Sequence, residues 1–182
     1  FLNYPKFCKQ LCLSLNKSIY DVEINISDEL YVSNKYKPFI HSLVHVFRNC
    51  CDHGIETTED RIKANKDKVG TISCTFETKN DLLYLKIMDD GKGIDIDALT
   101  KIIQEKKLIS NEKLFTLTEK EIINYIFDDN LSTKSCITHI SGRGIGLSSV
   151  KMELDKIGGS VDVETKINEG TTFIFKLPYQ IL

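Results

Sequence analysis

The chain has 182 residues, of which 41% are hydrophobic and 27% are charged, and its formal net charge at pH 7 is −2. This length suffices for one ample domain, and the composition is ordinary for a globular protein. A net charge so close to zero gives no reason to expect a nucleic acid or an anionic membrane as partner. Apolar runs fall short of the roughly 20 residues that span a bilayer, and no signal peptide is visible, so we expect no direct membrane insertion.

The six cysteines include no C-x-x-C pair. A chain of this length needs no disulfide framework, so we expect reduced thiols and a cytoplasmic location. Because the first residue is Phe1 rather than methionine, we expect the chain to be a piece of a longer protein.

Apolar side chains recur at helical spacing in residues 5–16, which predicts a short amphipathic helix. We interpret residues 1–17 as a linker helix from an upstream domain and residues 18–182 as the domain itself. Alternating apolar residues predict a strand at 22–26, and a second short strand is expected at 30–33.

The segment from Phe39 to Glu56 is predicted to form a helix with two different faces, ending near Gly54. One face is apolar. The other carries hydrogen-bonding and ligand side chains in place of the Lys and Glu of an ordinary exposed face: His41, His45, Arg48, Asn49 and Asp52. We interpret this second face as the wall of a binding site.

Two histidines at i and i+4 raise the alternative of a zinc site. The glutamate of an H-E-x-x-H motif is absent, however, because Ser42 follows His41 and Val44 precedes His45. Neutral Asn and His side chains suit a hard cation such as Mg²⁺, which keeps most of its water ligands and bridges phosphates.

Two strands joined by a short turn are predicted at residues 70–78 and 82–89. Alternation along the second strand places Asp89 on the inward face at the rim of the core and Asp90 on the opposite face. A carboxylate in that position needs a partner, and the exocyclic amine of adenine is one. The alternative is a tight turn without a ligand.

Residues 57–68 are strongly polar and are predicted to form a solvated connector. Residues 97–127 are predicted to be helical in two pieces, with a break near 110–118. Residues 128–143 show no sustained periodicity. A loop of about this length inside a compact domain is usually functional, for instance as a lid.

Gly142, Gly144 and Gly146 lead into a predicted helix, and two strands at 160–166 and 171–177 close the chain. The G-x-G-x-G spacing matches neither a Walker A loop nor the dinucleotide-binding fingerprint. A glycine-rich helix start presents free backbone N–H groups that suit phosphate, although a plain flexible connection is the alternative. The order of elements predicts an α+β fold, a mixed sheet with its helices on one face.

The motifs and their order resemble the ATP-binding domain of chemotaxis-type (CheA-like) histidine kinases. HVFRNCCDHGIE resembles the N box of that family, DDGKGI its G1 box, FDDNLST its F box, SGRGIGLSSVK its G2 box, and Gly-Thr-Thr at 170–172 its last motif. The Asp-His pair after Arg-Asn distinguishes the chemotaxis type from ordinary sensor kinases. The likeness extends from about residue 4 to residue 178.

The resemblance implies the Bergerat ATP-binding fold, a two-layer α/β sandwich with a mixed, mostly antiparallel sheet. It implies ATP and Mg²⁺ as cofactors and transfer of the ATP γ-phosphoryl group to a histidine on a separate phosphotransfer domain in two-component signalling. A response regulator would act further along the pathway. Dimerisation is expected through a domain that is not present in this chain.

The resemblance also implies roles for individual residues. Asn49 would bind Mg²⁺ with His45 beside it, and Arg48 would complete the catalytic set. Asp89 would bind the adenine amine, and Thr171 or Thr172 would back the adenine side. The remaining nucleotide contacts would come from the phosphate and ribose residues Asp52 and His53, the pocket glycines Gly91 and Gly93, the lid residues Ser132, Thr133 and Lys134, and the phosphate loop Gly142, Arg143, Gly144, Gly146 and Leu147.

The F box departs from the family pattern. Where the family pattern has a Pro-Gly turn, this chain has Asp128-Asp129-Asn130, and Leu131 replaces a Phe of that pattern. This departure motivates a second hypothesis, a nucleotide-binding scaffold that retains ATP without transferring phosphate. A third hypothesis, a gyrase- or chaperone-type ATPase domain, is disfavoured because R-N-x-x-D-H-G-I-E is the kinase-like form.

Overall fold

A computed structural model describes residues 3–26, 33–131 and 146–179. Its sheet has the strand order β1-β2-β3-β5-β4. The strands are β1 (Glu23–Ile26), β2 (Ile72–Lys79), β3 (Leu82–Asp89), β4 (Ser160–Lys166) and β5 (Gly170–Pro178). β1 pairs with β2 in parallel, and the other three pairings are antiparallel. The predicted mixed, mostly antiparallel sheet is therefore confirmed.

The turn between β2 and β3 is tighter than the predicted three residues. Asn80 and Asp81 have positive φ angles of 51° and 57°, the backbone of a two-residue turn whose twist matches that of the flanking strands. This register places Ile72, Asp89 and Thr171 side by side across the three central strands. The inward-facing carboxylate predicted for Asp89 thus lies at the end of the central strand.

The helices form the second layer on one face of the sheet, which confirms the predicted α+β architecture. They are α1 (Tyr4–Ser14), α2 (Lys37–Ser42), α3 (Val44–Asn49), α4 (Thr58–Lys63), α5 (Ile96–Glu105), α6 (Asn111–Leu114), α7 (Glu119–Asn124) and α8 (Leu147–Lys156). Short 3₁₀ turns at Asn34–Tyr36 and Tyr125–Phe127 precede α2 and follow α7. The main core lies between the layers, where Phe39, Phe47 and Leu154 meet Leu85 and Phe175.

The predicted site helix is one helical segment over residues 37–54 that changes type near its end. α2 and α3 continue into a wider π-type turn at Cys50–Gly54, where the Ile55 N–H donates to the Cys50 carbonyl at 2.7 Å. Turns of this type are frequent at functional sites. The residues that follow Asn49 are therefore rotated relative to a regular α-helix.

α1 packs into the main core through Cys8 and Cys12. Tyr4 stacks on Phe47 with ring centroids 4.7 Å apart. The interpretation of residues 1–17 as a linker from an upstream domain stays a prediction. Within the three described ranges, no helix combines the length and the hydropathy that crossing a bilayer requires.

The prediction of a solvated connector at residues 57–68 is wrong. Residues Thr58–Lys63 form α4, and the Thr57 side chain caps it by accepting from the Asp60 N–H at 3.2 Å. Arg61 in this helix is only 1% exposed. A polar composition cannot distinguish an arginine in solvent from one buried among carboxylates, because the partners come from distant segments.

The helical region after β3 has more pieces than predicted. The expected break near residues 110–118 contains the one-turn helix α6, and a capping box between Thr118 and Glu121 begins α7. The predicted strand at 30–33 falls largely outside the described residues.

Candidate functional site

A cavity of about 740 Å³ lies between the helical layer and the sheet edge where β3 ends and β5 begins. It brings together side chains from segments far apart in the chain. The predicted site residues that line it are His45, Arg48, Asn49, His53, Asp89, Gly93, Gly146, Leu147 and Thr171.

Three predicted site residues, Asp52, Gly91 and Thr172, do not line the cavity. The Asp52 carboxylate lies 3.8 Å from His53 Nε2, and its backbone carbonyl accepts from Lys17 Nζ at 2.6 Å. The Gly91 N–H donates to the Asp89 carboxylate. Thr171 is buried whereas Thr172 is half-buried, and alternation along β5 turns Thr172 to the opposite face. Of the two threonines, Thr171 is the one that lines the cavity.

The remaining predicted site residues lie outside the described part of the chain. They are the lid residues Ser132, Thr133 and Lys134 and the loop residues Gly142, Arg143 and Gly144. Their assignment rests on the sequence alone and stays a prediction.

Asp89 is the buried acid of the cavity, with 2% of its surface exposed. Its Oδ1 accepts from the Gly91 N–H at 2.9 Å, and the thiol of Cys50 donates to the same carboxylate. Burial raises the pKa of Asp89 to about 6, although these two hydrogen bonds and a third from the Thr171 backbone oppose that shift. The carboxylate is thus ionised at neutral pH but desolvated, a state that favours a hydrogen-bond donor from a ligand.

Two glycines allow the backbone to approach this carboxylate. A methyl group added at Gly54 would lie 2.8 Å from Asp89 Oδ1, and one added at Gly91 would lie 2.2 Å from the carbonyl carbon of Gly54. The end of the site helix and the turn after β3 therefore pack directly on each other around Asp89. This contact gives a physical reason for glycine in both motifs.

The site helix presents His45, Arg48 and Asn49 to the cavity. Burial, assisted by the nearby Arg48 charge, lowers the pKa of His45, so its imidazole is neutral at pH 7. The Arg48 guanidinium lies over the ring of Phe7 at 5.8 Å from its centroid. This wall therefore combines a neutral imidazole, an amide and one cation.

A divalent cation on this wall would find few protein ligands. Within the described ranges, no cluster of three or more His, Cys, Asp and Glu side chains is placed to hold a metal ion. The Asn49 amide oxygen is a hard ligand, and Mg²⁺ is commonly held by one or two protein oxygens with waters and phosphates completing its shell. The donor set thus fits a cation that arrives with a phosphate ligand.

The first turn of α8 also faces the cavity through Gly146, Leu147 and Ser148. Within residues 3–26, 33–131 and 146–179, a methyl group added at Gly146 would meet no atom closer than 4 Å. The first backbone N–H groups of a helix lack intrahelical partners and attract anions. The start of α8 is therefore one wall of the cavity.

Sequence reasoning missed the apolar wall of the cavity. It is formed by Ile94, Ala98, Leu99, Ile102, Ile126, Leu131 and Phe173. The sequence predicted only that this region is helical, and periodicity alone does not distinguish a face packed on protein from one packed on a ligand. Lys92 and Asn168 at the rim were missed as well.

The altered F box begins with a well-defined turn. The Asp128 carboxylate accepts from the Asn130 N–H at 2.8 Å and from its side-chain amide at 3.0 Å, and the Leu131 N–H donates to the Asp128 carbonyl at 3.1 Å. Such an Asx turn is stabilised by side-chain hydrogen bonds, whereas a Pro-Gly pair favours a turn through its backbone preferences. Lys106 of α5 donates to the carbonyls of Asn130 and Leu131 at 2.9 and 3.1 Å.

We expect Asp89 to make the unliganded protein less stable as the pH rises. Its folded pKa of about 6 exceeds the ordinary value of 3.8, so the stabilisation it contributes is complete below pH 3.8 and is lost as pH rises through 6. Two pKa units correspond to about 3 kcal/mol, or roughly 6–12 °C in a domain of this size. The melting temperature of Asp89→Asn, which does not ionise, should exceed that of the parent by a margin that grows over this interval. A difference independent of pH would contradict the assignment.

Comparison with known proteins agrees with this geometry. Residues 40–181 match the family described as Histidine kinase-, DNA gyrase B-, and HSP90-like ATPase. The chain is 33% identical over 180 residues to the sensor histidine kinase CheAY of Helicobacter pylori, covering 98% of this chain and 22% of that protein. It is 33% identical over 182 residues to the chemotaxis protein CheA of Borreliella burgdorferi, covering 100% of this chain and 21% of that protein. The chain thus spans about one fifth of the length of these relatives.

Among solved structures, the mycobacterial sensor histidine kinase MprB is similar in fold, with a TM-score of 0.55 and 16% sequence identity over 100% of this chain and 95% of that one. The family match covers the site helix, the turn after β3 and both closing strands, which are the elements that surround the cavity. The chain therefore belongs to the histidine kinase-, DNA gyrase B- and HSP90-like ATPase family, and its sequence is of the CheA type.

Proposed function

We propose that the cavity binds ATP together with Mg²⁺ and that the chain is the catalytic domain of a histidine protein kinase. The observation that carries the proposal is the division of the cavity into two chemically different ends. A buried carboxylate and an apolar wall form one end, and an amide, a neutral imidazole, an arginine and a helix start form the other. A nucleoside triphosphate is divided in the same way, with the base at one end and the phosphates at the other.

At the base end, Asp89 accepts a hydrogen bond from the exocyclic amine of adenine. Gly91 and Gly93 shape the turn beside it, and Thr171 backs the base from the neighbouring strand. The apolar wall then covers the faces of the ring. A buried acceptor selects for the amine because a base with an oxygen at that position would place two hydrogen-bond acceptors against each other.

At the phosphate end, Asn49 would hold Mg²⁺ with His45 beside it, and Arg48, Asp52 and His53 would orient the phosphates and the ribose. When bound, Mg²⁺ neutralises negative charge on the phosphate oxygens. The start of α8 offers backbone N–H groups to the same oxygens. We assign the completion of this end to the lid residues Ser132, Thr133 and Lys134 and to the loop residues Gly142, Arg143 and Gly144.

The reaction we propose is transfer of the γ-phosphoryl group to a histidine of a phosphotransfer domain. An imidazole nitrogen of that histidine forms a bond to phosphorus, the bond from phosphorus to the bridging oxygen breaks, and ADP leaves. The residues of this chain contribute by holding the triphosphate in line and neutralising its charge. We place the protein in the cytoplasm, with a response regulator as the final acceptor and dimerisation through another domain.

Purified protein incubated with ATP, Mg²⁺ and a histidine phosphotransfer domain tests the proposal. We expect phosphate to appear on a histidine of the added domain and the reaction to stop when EDTA removes Mg²⁺. ATP binding without any phosphohistidine would instead establish the nucleotide-binding scaffold. The Asx turn formed by Asp128 favours the kinase, because it shows that the altered F box still begins with an ordered turn.

A further inference from the structure

Arg61 is a buried cation. It belongs to none of the sequence motifs and has no part in the proposed reaction. It lies in α4 and is 1% exposed. Its guanidinium donates two hydrogen bonds to the Asp90 carboxylate, from Nη1 to Oδ1 at 3.1 Å and from Nη2 to Oδ2 at 2.8 Å. Nη1 also lies 3.2 Å from Glu56 Oε2, and Nε donates to the Asp67 carbonyl at 2.6 Å. Such a fork–fork pair fixes orientation as well as distance.

Lys66 extends this cluster to the next residue of the turn. Its Nζ donates to Glu56 Oε1 at 2.8 Å and to the Gly91 carbonyl at 2.8 Å. The cluster of Glu56, Arg61, Lys66 and Asp90, which we call the turn clamp, thus contains two cations and two carboxylates. Its formal charge is balanced, as a buried ionic group requires.

The turn clamp acts on the residues that position Asp89. Asp90 is held by Arg61 and also accepts from the Thr71 N–H at 2.9 Å. The carbonyl of Gly91 is held by Lys66, while its N–H donates to Asp89 Oδ1. The peptide groups that follow Asp89 are therefore anchored from outside the cavity, and one of them sets the orientation of the carboxylate inside it.

Stability alone does not account for this arrangement. Buried ion pairs rarely stabilise a fold more than apolar side chains of similar volume, because desolvation offsets their attraction. Two parallel hydrogen bonds from a guanidinium fix the rotation of the bound carboxylate, which apolar packing does not do. The turn clamp holds the turn that follows Asp89, where the rotation of the carboxylate would decide which base is accepted.

We propose that Arg61 is a positioning residue for nucleotide recognition, holding Asp90 and the Gly91 peptide so that the Asp89 carboxylate meets the 6-amino group of adenine. This inference rests on the proposed binding of ATP. It assigns base selectivity to a residue that does not touch the nucleotide.

Arg61→Lys tests the proposal, because lysine keeps the charge and loses the fork. Calorimetric titration should compare binding of ATP with binding of inosine triphosphate, which has an oxygen where adenine has its amino group. We expect the affinity for ATP to fall about tenfold while that for inosine triphosphate stays unchanged, since one charge-assisted hydrogen bond is misaligned. Discrimination between the two nucleotides should fall by the same factor.

Two controls separate positioning from general weakening. Lys63→Met removes an exposed cation from the same helix, which is paired with Asp60 at 3.1 Å. Phe76→Leu lowers stability in the middle of the sheet, away from the cavity. Neither should alter the ratio of the two affinities.

A lower melting temperature of Arg61→Lys with an unchanged affinity ratio would overturn the inference and leave the turn clamp a purely structural feature. An equal loss for both nucleotides would overturn it as well. Failure of the unaltered protein to bind ATP would instead refute the proposed function, so the two failures are distinguishable.

Discussion

Replacement of Asn49 by alanine should lower the rate of phosphoryl transfer by about 10²–10³, the usual effect of removing one group that stabilises charge in a transition state. Asn49 lines the phosphate end of the cavity, at the start of the π-type turn. In the proposed site its amide oxygen is the protein ligand of Mg²⁺, so its loss should affect the metal rather than the base. The rate of phosphohistidine formation at saturating ATP measures this effect.

Binding measurements identify the cause of the loss. ATP affinity measured in EDTA should be the same for Asn49→Ala and the parent, whereas the increase in affinity on adding Mg²⁺ should disappear in the variant. His41→Ala is the matched control, because His41 lies on the same helix, is exposed, and does not line the cavity. An equal loss of affinity with and without Mg²⁺ would show that Asn49 maintains the fold of the wall and does not bind the metal.

Asp89→Asn should weaken ATP binding about 10- to 100-fold, the effect expected when a charged acceptor of a buried hydrogen bond becomes neutral. Asparagine has the same shape, so the cavity is preserved. The same variant should melt at a higher temperature at neutral pH, because it removes a desolvated charge whose pKa is raised to about 6. Weaker binding combined with higher thermal stability is typical of a site that is strained for function.

Calorimetric titration at pH 8, where Asp89 is ionised, gives the affinity most directly. Asp97→Asn makes the same chemical change at an exposed position near the start of α5 and should leave binding unaltered. Tight ATP binding by Asp89→Asn would refute the adenine assignment. Weak binding together with a lower melting temperature would indicate general loss of structure.

The sequence alone was sufficient for the features that depend on local periodicity. The polar stripe with His45 and Asn49, the inward direction of Asp89 and the helix start at Gly146 all follow from the repeat of a helix or a strand. The order of these motifs was enough to indicate the ATP-binding family, and the match over residues 40–181 confirmed it. The α+β class followed in the same way from the order of strands and helices.

Contacts between distant segments were not predictable, because periodicity reports which face is buried and not what covers it. The polar segment around Arg61 looked solvated, yet its guanidinium is enclosed by Glu56 and Asp90. The α5 segment was predicted only as part of a helical region, yet its apolar side chains face the cavity. Which of Thr171 and Thr172 lines the cavity likewise depends on the register of β5 against β3. A buried charge is stable only beside a partner, and tertiary packing alone decides which partner that is.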